Sequence, residues 1–272
     1  MNGEEPVPAA ADRFRSSIAL VLGEETVRAG LEPSPSTEAP EARARDRINH
    51  LEACRQANIE NVIRLAAGEL PEPGEESLVD HTWLTRFFDY ARDVGEEEEQ
   101  QVWANILRRE FAAAGSFGKR TLAFLDAMEP WELSGFVEYA AFAFSFESGW
   151  RFMFDEESAR REIWTYGREL DLTSHFIEIG LLAEHASHFN PDSASGLRIC
   201  YGSKSYELGR ADPVASKARA VAYRKFTVVG QQLSTAIQPK TFFGYARNVV
   251  KALAAECGAR FELLEPATPS SA

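Results

Sequence analysis

Long hydrophobic runs are missing from this chain of 272 residues. None approaches the roughly 20 apolar residues that cross a bilayer, which excludes a membrane-spanning helix. The opening Met1-Asn-Gly-Glu-Glu-Pro6 has no basic segment, so no secretory signal is expected. Cysteine is scarce. Cys54, Cys200 and Cys257 are odd in number and widely spaced, with no Cys-x-x-Cys pair. That excludes a disulfide framework and fits reduced thiols in a cytoplasm. Also absent are Gly-x-Ser-x-Gly, His-Glu-x-x-His and Gly-x-Gly-x-x-Gly, and with them the usual signatures of hydrolase, zinc protease and dinucleotide chemistry. No repeat recurs at solenoid periods.

What is present is ordinary for a globular protein: 44% apolar and 26% charged residues. The net charge of −13 is unevenly placed. Residues 196–272 hold 11 basic and 5 acidic side chains, net +6, while residues 1–195 hold 18 and 37, net −19. The acidic part argues against broad nucleic-acid affinity, and the basic third leaves room for a local anion-binding face.

Residues 1–40 read as a flexible leader. Gly30 to Pro40 holds three prolines in eleven residues, and only a short helix within Asp12–Val27 is expected before it. From Glu41 the residues Ile48, Leu51, Cys54, Ile59, Val62, Ile63 and Ala66 recur at helical spacing until Leu70-Pro-Glu-Pro-Gly74 stops the helix. The firmest pattern runs from Val79 to Phe146. Asp80 or Thr82 can cap a helix carrying Trp83, Phe87 and Ala91, and Glu96 to Glu99 suit the start of a second with Val102, Trp103 and Ile106. Ser116 can cap a third with Leu122 and Leu125, and Pro130 opens a fourth running through Phe144. The aromatic stripes read as core packing rather than a ligand box.

After Trp150 the texture changes. Glu156–Leu170 and Leu172–Ile179 read as helices, the second ended by Gly180. Leu181-Leu-Ala183 and Leu197-Arg-Ile-Cys-Tyr201 read as strands about the turn Asn190–Gly196. Gly202–Ser216 reads as a loop, Phe226–Leu233 as the entry to a helix, and Thr241–Glu256 and Arg260–Leu264 as a last helix and strand.

Three constellations invite chemistry. Gly115-Ser-Phe-Gly118-Lys119-Arg120-Thr121 is similar to a phosphate loop, but only two residues separate its glycines and a helix precedes it, so a capped helix turn is the better reading. His175, His185 and His188, with Asp192 and Cys200 downstream, include zinc-ligand types, yet the spacing does not oblige them to converge, and no metal or cofactor is expected. Arg210, Lys217, Arg219, Arg224 and Lys225 cluster ahead of a helix and are the candidate nucleic-acid or anion-binding residues; a solvated basic loop is the plainer account. No catalytic residue is nominated.

Two resemblances follow from particular residues. Arg55-Gln-Ala-Asn-Ile-Glu60, Leu70-Pro71, Val79-Asp80, Trp83 and Arg86-Phe-Phe88 resemble a bacterial family known as domain of unknown function 2806. So do Glu98-Glu-Gln-Gln-Val-Trp-Ala-Asn-Ile-Leu107, Gly115-Ser-Phe117 and Arg120-Thr-Leu122. The likeness is strong over about residues 45–146. The chain departs from the family pattern at Arg108-Arg109 and at Glu129-Pro130, where a Ser or Asp cap is usual. More weakly, residues 150–239, with Gly180-Leu-Leu182 and Phe226-Thr-Val-Val-Gly-Gln-Gln-Leu233, resemble a winged-helix module, in which the Gly would serve tight packing or a special backbone angle and the Thr a helix cap.

The expected architecture is mainly α: a multi-helix bundle (41–149), a small α+β winged-helix-like module (150–239), a C-terminal helix and strand (240–265) and a disordered tail (266–272). The expected role is a non-enzymatic interaction or regulatory protein of a bacterial cytoplasm, acting on an unidentified protein partner and associated, by likeness to similar helical families, with mobile elements or phage defence. A DNA-binding regulator using the basic C-terminal module is the alternative, and an enzyme without a recognisable motif a third reading.

Overall fold

A computed structural model of the chain describes residues 10–31, 39–68, 79–166, 172–191, 197–210, 219–242 and 244–264. These residues form eleven helices and one seven-stranded sheet, and the chain divides into two compact units, 1–112 and 113–272. No described helix is long and apolar enough to cross a membrane.

The first unit is helical: α1 (Ala10–Leu22), α2 (Glu24–Leu31), α3 (Pro40–Ala67), α4 (His81–Ala91) and α5 (Glu97–Ala112). The expected single helix within 12–27 is broken in two, because Gly23 takes a φ of 79° that ends α1. The Asp80 carboxylate accepts from the Thr82 amide at 3.0 Å and caps α4, and Glu97, Glu98 and Glu99 occupy the first turn of α5 where the helix dipole favours them. Helix α3 packs against α4 and α5. Trp83 stacks on Phe87 at 5.2 Å, and Phe87 meets Trp103 edge-on at 5.4 Å; all three are buried. Aromatic packing of this kind adds about 1 kcal/mol per pair beyond its area.

The second unit contains α6 (Lys119–Asp126), α7 (Pro130–Ala140), α8 (Glu157–Thr165), α9 (Thr173–Glu178), α10 (Val228–Ala236) and α11 (Tyr245–Cys257). Its strands are β1 (Phe144–Phe146), β2 (Arg151–Phe154), β3 (Ser187–Phe189), β4 (Leu197–Tyr201), β5 (Lys204–Arg210), β6 (Val221–Lys225) and β7 (Ala259–Leu264). They are ordered β3-β6-β2-β1-β4-β5-β7, every pair antiparallel. Phe144, Phe152, Phe154, Phe189 and Tyr223 form an aromatic cluster on the sheet, and fully buried Tyr245 of α11 meets Phe142, Phe144 and Tyr201.

Several sequence expectations are corrected here. The fourth helix stops at Ala140, and Phe144 lies in β1, paired with Phe152; continuous aromatic residues satisfy a buried strand as well as a helix face. Gly202–Ser216 is not all loop. Residues 204–210 form β5, where Tyr206 and Leu208 are buried between more polar neighbours. Leu181–Ala183 makes no strand, only a bridge from Leu182 to Phe226. Ser116 does not cap α6; its hydroxyl donates to Ala113 O at 2.5 Å. At Glu129-Pro130 the missing Ser or Asp cap is replaced: Pro130 takes the first helical turn and Glu132 Oε2 accepts from the Glu129 amide at 2.8 Å. The prolines within 32–38, the connector 74–78 and the tail 266–272 lie outside the described residues.

Candidate functional site

The five basic candidates do not share one environment. Arg210 ends β5 opposite Ala259, and Lys217 lies outside the described residues. Arg219 donates through Nη2 to Glu156 Oε2 and Glu256 Oε1, both at 2.8 Å, and its backbone amide donates to Cys257 O. The hydrogen bond to Glu156 raises its pKa first, with the nearby Cys257 and Glu156 adding to it. Arg224 is 13% exposed; it donates to Asp155 Oδ2 at 2.7 Å and to the carbonyls of Ala183 and Glu184. Lys225 is exposed on β6, and as the neighbour of Arg224 in a strand it points to the opposite sheet face. Glu156, nearly buried, also accepts from the Ala222 amide at 2.7 Å. Asp155 and Glu156 thus use Arg224 and Arg219 to tie the start of α8 to β6, a pairing that offsets the cost of burying the carboxylates.

The Gly115–Thr121 turn is occupied from within the protein. Gln232 Oε1 accepts from the Gly118 amide at 3.0 Å and from the Thr121 hydroxyl, filling the place at the start of α6 that an anion would need. Gln232 belongs to the stretch Phe226–Leu233, which acts as a hub. The Thr227 hydroxyl accepts from the Gly230 amide at 3.1 Å and donates to Gly180 O at 2.6 Å. A Cβ on Gly230 would collide with Leu181 O, so close packing, not a special backbone angle, requires the glycine. Gln231 Oε1 accepts from the Arg151 amide at 2.7 Å, its Nε2 donates to Gly149 O at 3.1 Å, and Trp150 Nε1 donates to Phe226 O at 3.0 Å. One short segment thereby fixes the β1–β2 turn, the end of α9 and the start of α6.

The residues of the first family stretch meet in a comparable way. Arg55 pairs with Asp93 at 2.6 Å. Asn58 Nδ2 donates to Arg92 O at 2.9 Å, Asn61 Nδ2 donates to Gln100 Oε1 at 3.0 Å, and Gln100 Nε2 donates to Val94 O at 2.8 Å and Asn58 Oδ1 at 3.3 Å. These side chains form a satisfied polar seam along α3 and α5, which favours one register of the helices over its neighbours.

Of the histidines, His175 is anchored. Its Nε2 lies 2.7 Å from Glu132 Oε1 and its ring 4.8 Å from that of Trp131, which is itself 53% exposed. His185 and His188 are exposed. Among the described residues no group of three or more His, Cys, Asp or Glu side chains could hold a metal ion; Asp192 lies outside them. The three cysteines are free thiols, and burial pushes the Cys257 thiol up.

A cleft of about 240 Å3 was not foreseen from the sequence. It is lined by Ser145, Arg151 and Cys200 of the sheet, by Ala140, Ala141 and Ala143, by Tyr201 and Gly202, and by Pro239–Thr241. Tyr201 staples its borders: its hydroxyl donates to Ala141 O at 2.8 Å and accepts from the Phe242 amide at 3.2 Å. The signal that could have located it is register, which places Ser145 opposite both Arg151 and Cys200, and single-sequence periodicity does not reveal register.

These features define an α+β protein with a helical unit and an antiparallel sheet unit whose most distinctive sequence stretches serve as structural hubs. The chain belongs to the family described as Protein of unknown function (DUF2806), whose profile matches residues 42–250 and so extends well past the stretch that carries the clearest sequence likeness. No curated protein and no solved structure matches the chain.

Proposed function

We propose that the chain is a non-enzymatic interaction or regulatory protein that docks a protein partner at Trp131. The observation that carries this reading is an indole held in place while more than half exposed. Trp131 rests on His175, His175 is fixed by Glu132, and Glu132 is fixed by the Glu129 amide. An aromatic side chain already ordered before binding loses little entropy in an interface, and tryptophan is the residue most enriched among those that dominate binding energy. Three free thiols support placing the protein in a reducing compartment, the cytoplasm.

The DNA-binding reading draws on exposed Lys225 and on the Thr227–Gly230 entry into α10, the part most similar to a winged-helix module. It has less support, because Arg219 and Arg224 already neutralise Asp155, Glu156 and Glu256.

Co-purification from native cells tests the proposal. The wild-type chain should enrich a protein that Trp131→Ala loses and Trp131→Phe retains in part, with all three giving the same circular dichroism spectrum. Enrichment of the same proteins by wild type and Trp131→Ala would overturn it.

A further inference from the structure

Positive charge in the C-terminal third is unequally committed. Arg198 pairs with Glu147, Arg219 with Glu156 and Glu256, Arg224 with Asp155, and Arg260 with Glu262. Lys204, Lys240, Arg247 and Lys251 are exposed, and no hydrogen bond or ion pair joins any of them to another described residue.

These four gather where the β4–β5 turn meets the start of α11. Lys204 stands opposite Tyr201 across that turn, so both project to one face of the sheet, and the Tyr201 ring lies 5.4 Å from that of Tyr245 in α11. Tyr206, two residues further along β5, shares the face. Burial raises the Tyr206 pKa, and the charge of nearby Arg247 works against the rise. Lys251 follows Arg247 by four residues, about 6 Å along the same exposed side of α11. Lys240 belongs to the segment held against the turn: Thr241 stands over Gly202, and the Phe242 amide donates to the Tyr201 hydroxyl at 3.2 Å. The carboxylates of the neighbouring elements are engaged or turned away. Glu256 bonds Arg219, Glu157 bonds Arg161, and Glu162 bears on buried Tyr245. Glu207 and Glu262 alternate onto the opposite face of the sheet.

Between its cations α11 turns Asn248, Ala252 and Ala255 wholly or partly to solvent, with no large apolar or aromatic side chain among them. A bilayer calls for apolar side chains that enter it, a protein interface for a core rich in aromatic residues, and a single strand for rings on which bases stack. Unpaired cations alone suit a regular array of phosphates, which binds by giving up its counterions. We propose that α11 and the β4–β5 turn form a docking surface for a DNA duplex, held through its phosphate backbone by Lys204, Lys240, Arg247 and Lys251. Contacts of this kind position a protein on DNA without reading its sequence. The surface rests neither on Trp131 nor on Lys225 and the entry into α10.

The test is fluorescence anisotropy of a labelled, mixed-sequence DNA duplex titrated with the full chain at several salt concentrations. A saturable complex is expected at low salt, with log K falling against log salt by about 0.9 per phosphate neutralised, hence by about 3 to 4 when all four cations engage. Arg247→Gln combined with Lys251→Gln should lower that slope by about 2 and weaken binding about tenfold or more. Arg198→Gln combined with Arg260→Gln removes the same net charge from cations that are already paired, and should leave slope and affinity unchanged. All four positions are exposed, and unchanged circular dichroism verifies that each variant folds. The duplex should bind more tightly than its separated strand or poly-glutamate. No saturable complex at low salt, an equal loss in the two double variants, or preference for single strand or poly-glutamate would overturn the surface.

Discussion

At the scale of single residues, the chain spends its most distinctive side chains on holding itself together. Gly230 is the sharpest case, because any side chain there meets the Leu181 carbonyl. Gly230→Ala is expected to cost about 3 kcal/mol, within the range for overpacking a closed core, and a urea denaturation midpoint checks it. The need for Thr227 and Gly230 was legible in the sequence, since each residue type states a local backbone requirement. The roles of Arg219 and Arg224 were not. Their carboxylate partners Asp155, Glu156 and Glu256 lie 37 to 69 residues away, and no local pattern announces such pairings. Within the basic cluster, Arg219 and Arg224 therefore go to separate ion pairs in space, and Lys225 stays exposed.

Among elements, the long helices were the readable part. Repeats of apolar residues at steps of three and four, with Asp80 or Thr82 at one helix start and Glu96 to Glu99 at the next, located α3, α4 and α5 from sequence. The strands were harder. β1 continues the aromatic texture of α7, β5 hides Tyr206 and Leu208 among polar residues, and β2, β3 and β6 are each no longer than five residues. Periodicity needs length to register, and pairing partners distant in sequence supply what these strands lack. The start of α6 also depends on a distant residue, because Gln232 serves as its cap across more than a hundred positions. Gln232→Ala should destabilise the protein by about 1 kcal/mol and raise hydrogen exchange first at Gly118 and Thr121. Uniform exchange rates in that variant would show that the cap is not local.

For the whole molecule, buried phenols set a limit on alkaline stability. Burial pushes Tyr245 well above its ordinary pKa, with Tyr201 and Tyr139 nearby adding to it, and burial also raises Tyr201 and Tyr206. A folded pKa above the unfolded one means that the unfolded chain releases these protons first. The stabilisation is complete below about pH 10 and is lost as pH rises through the raised folded values. The melting temperature should hold steady from pH 8 to near 10 and then fall, and Tyr245→Phe should fall less steeply over the same range. Equal slopes would place the alkaline sensitivity elsewhere. Apolar periodicity had set the broad class of the molecule correctly, a mainly helical chain with some sheet, but neither the sheet's width nor the cleft followed from it. Both depend on strand order, which brings Ser145 beside Arg151 and Cys200, one six and the other fifty-five residues later in the chain.

That strand order also imposes a timetable. The β1–β2 hairpin at the middle of the sheet closes across only a few residues, whereas its outer neighbours β4 and β6 arrive about fifty and seventy residues later, and β7 must come last to cover β5. Loop closure over such separations has to precede the contacts that reward it. Strand order thus favours assembly outward from a hairpin seed, and until β7 pairs with it the outer side of β5 is a bare edge open to the wrong neighbour.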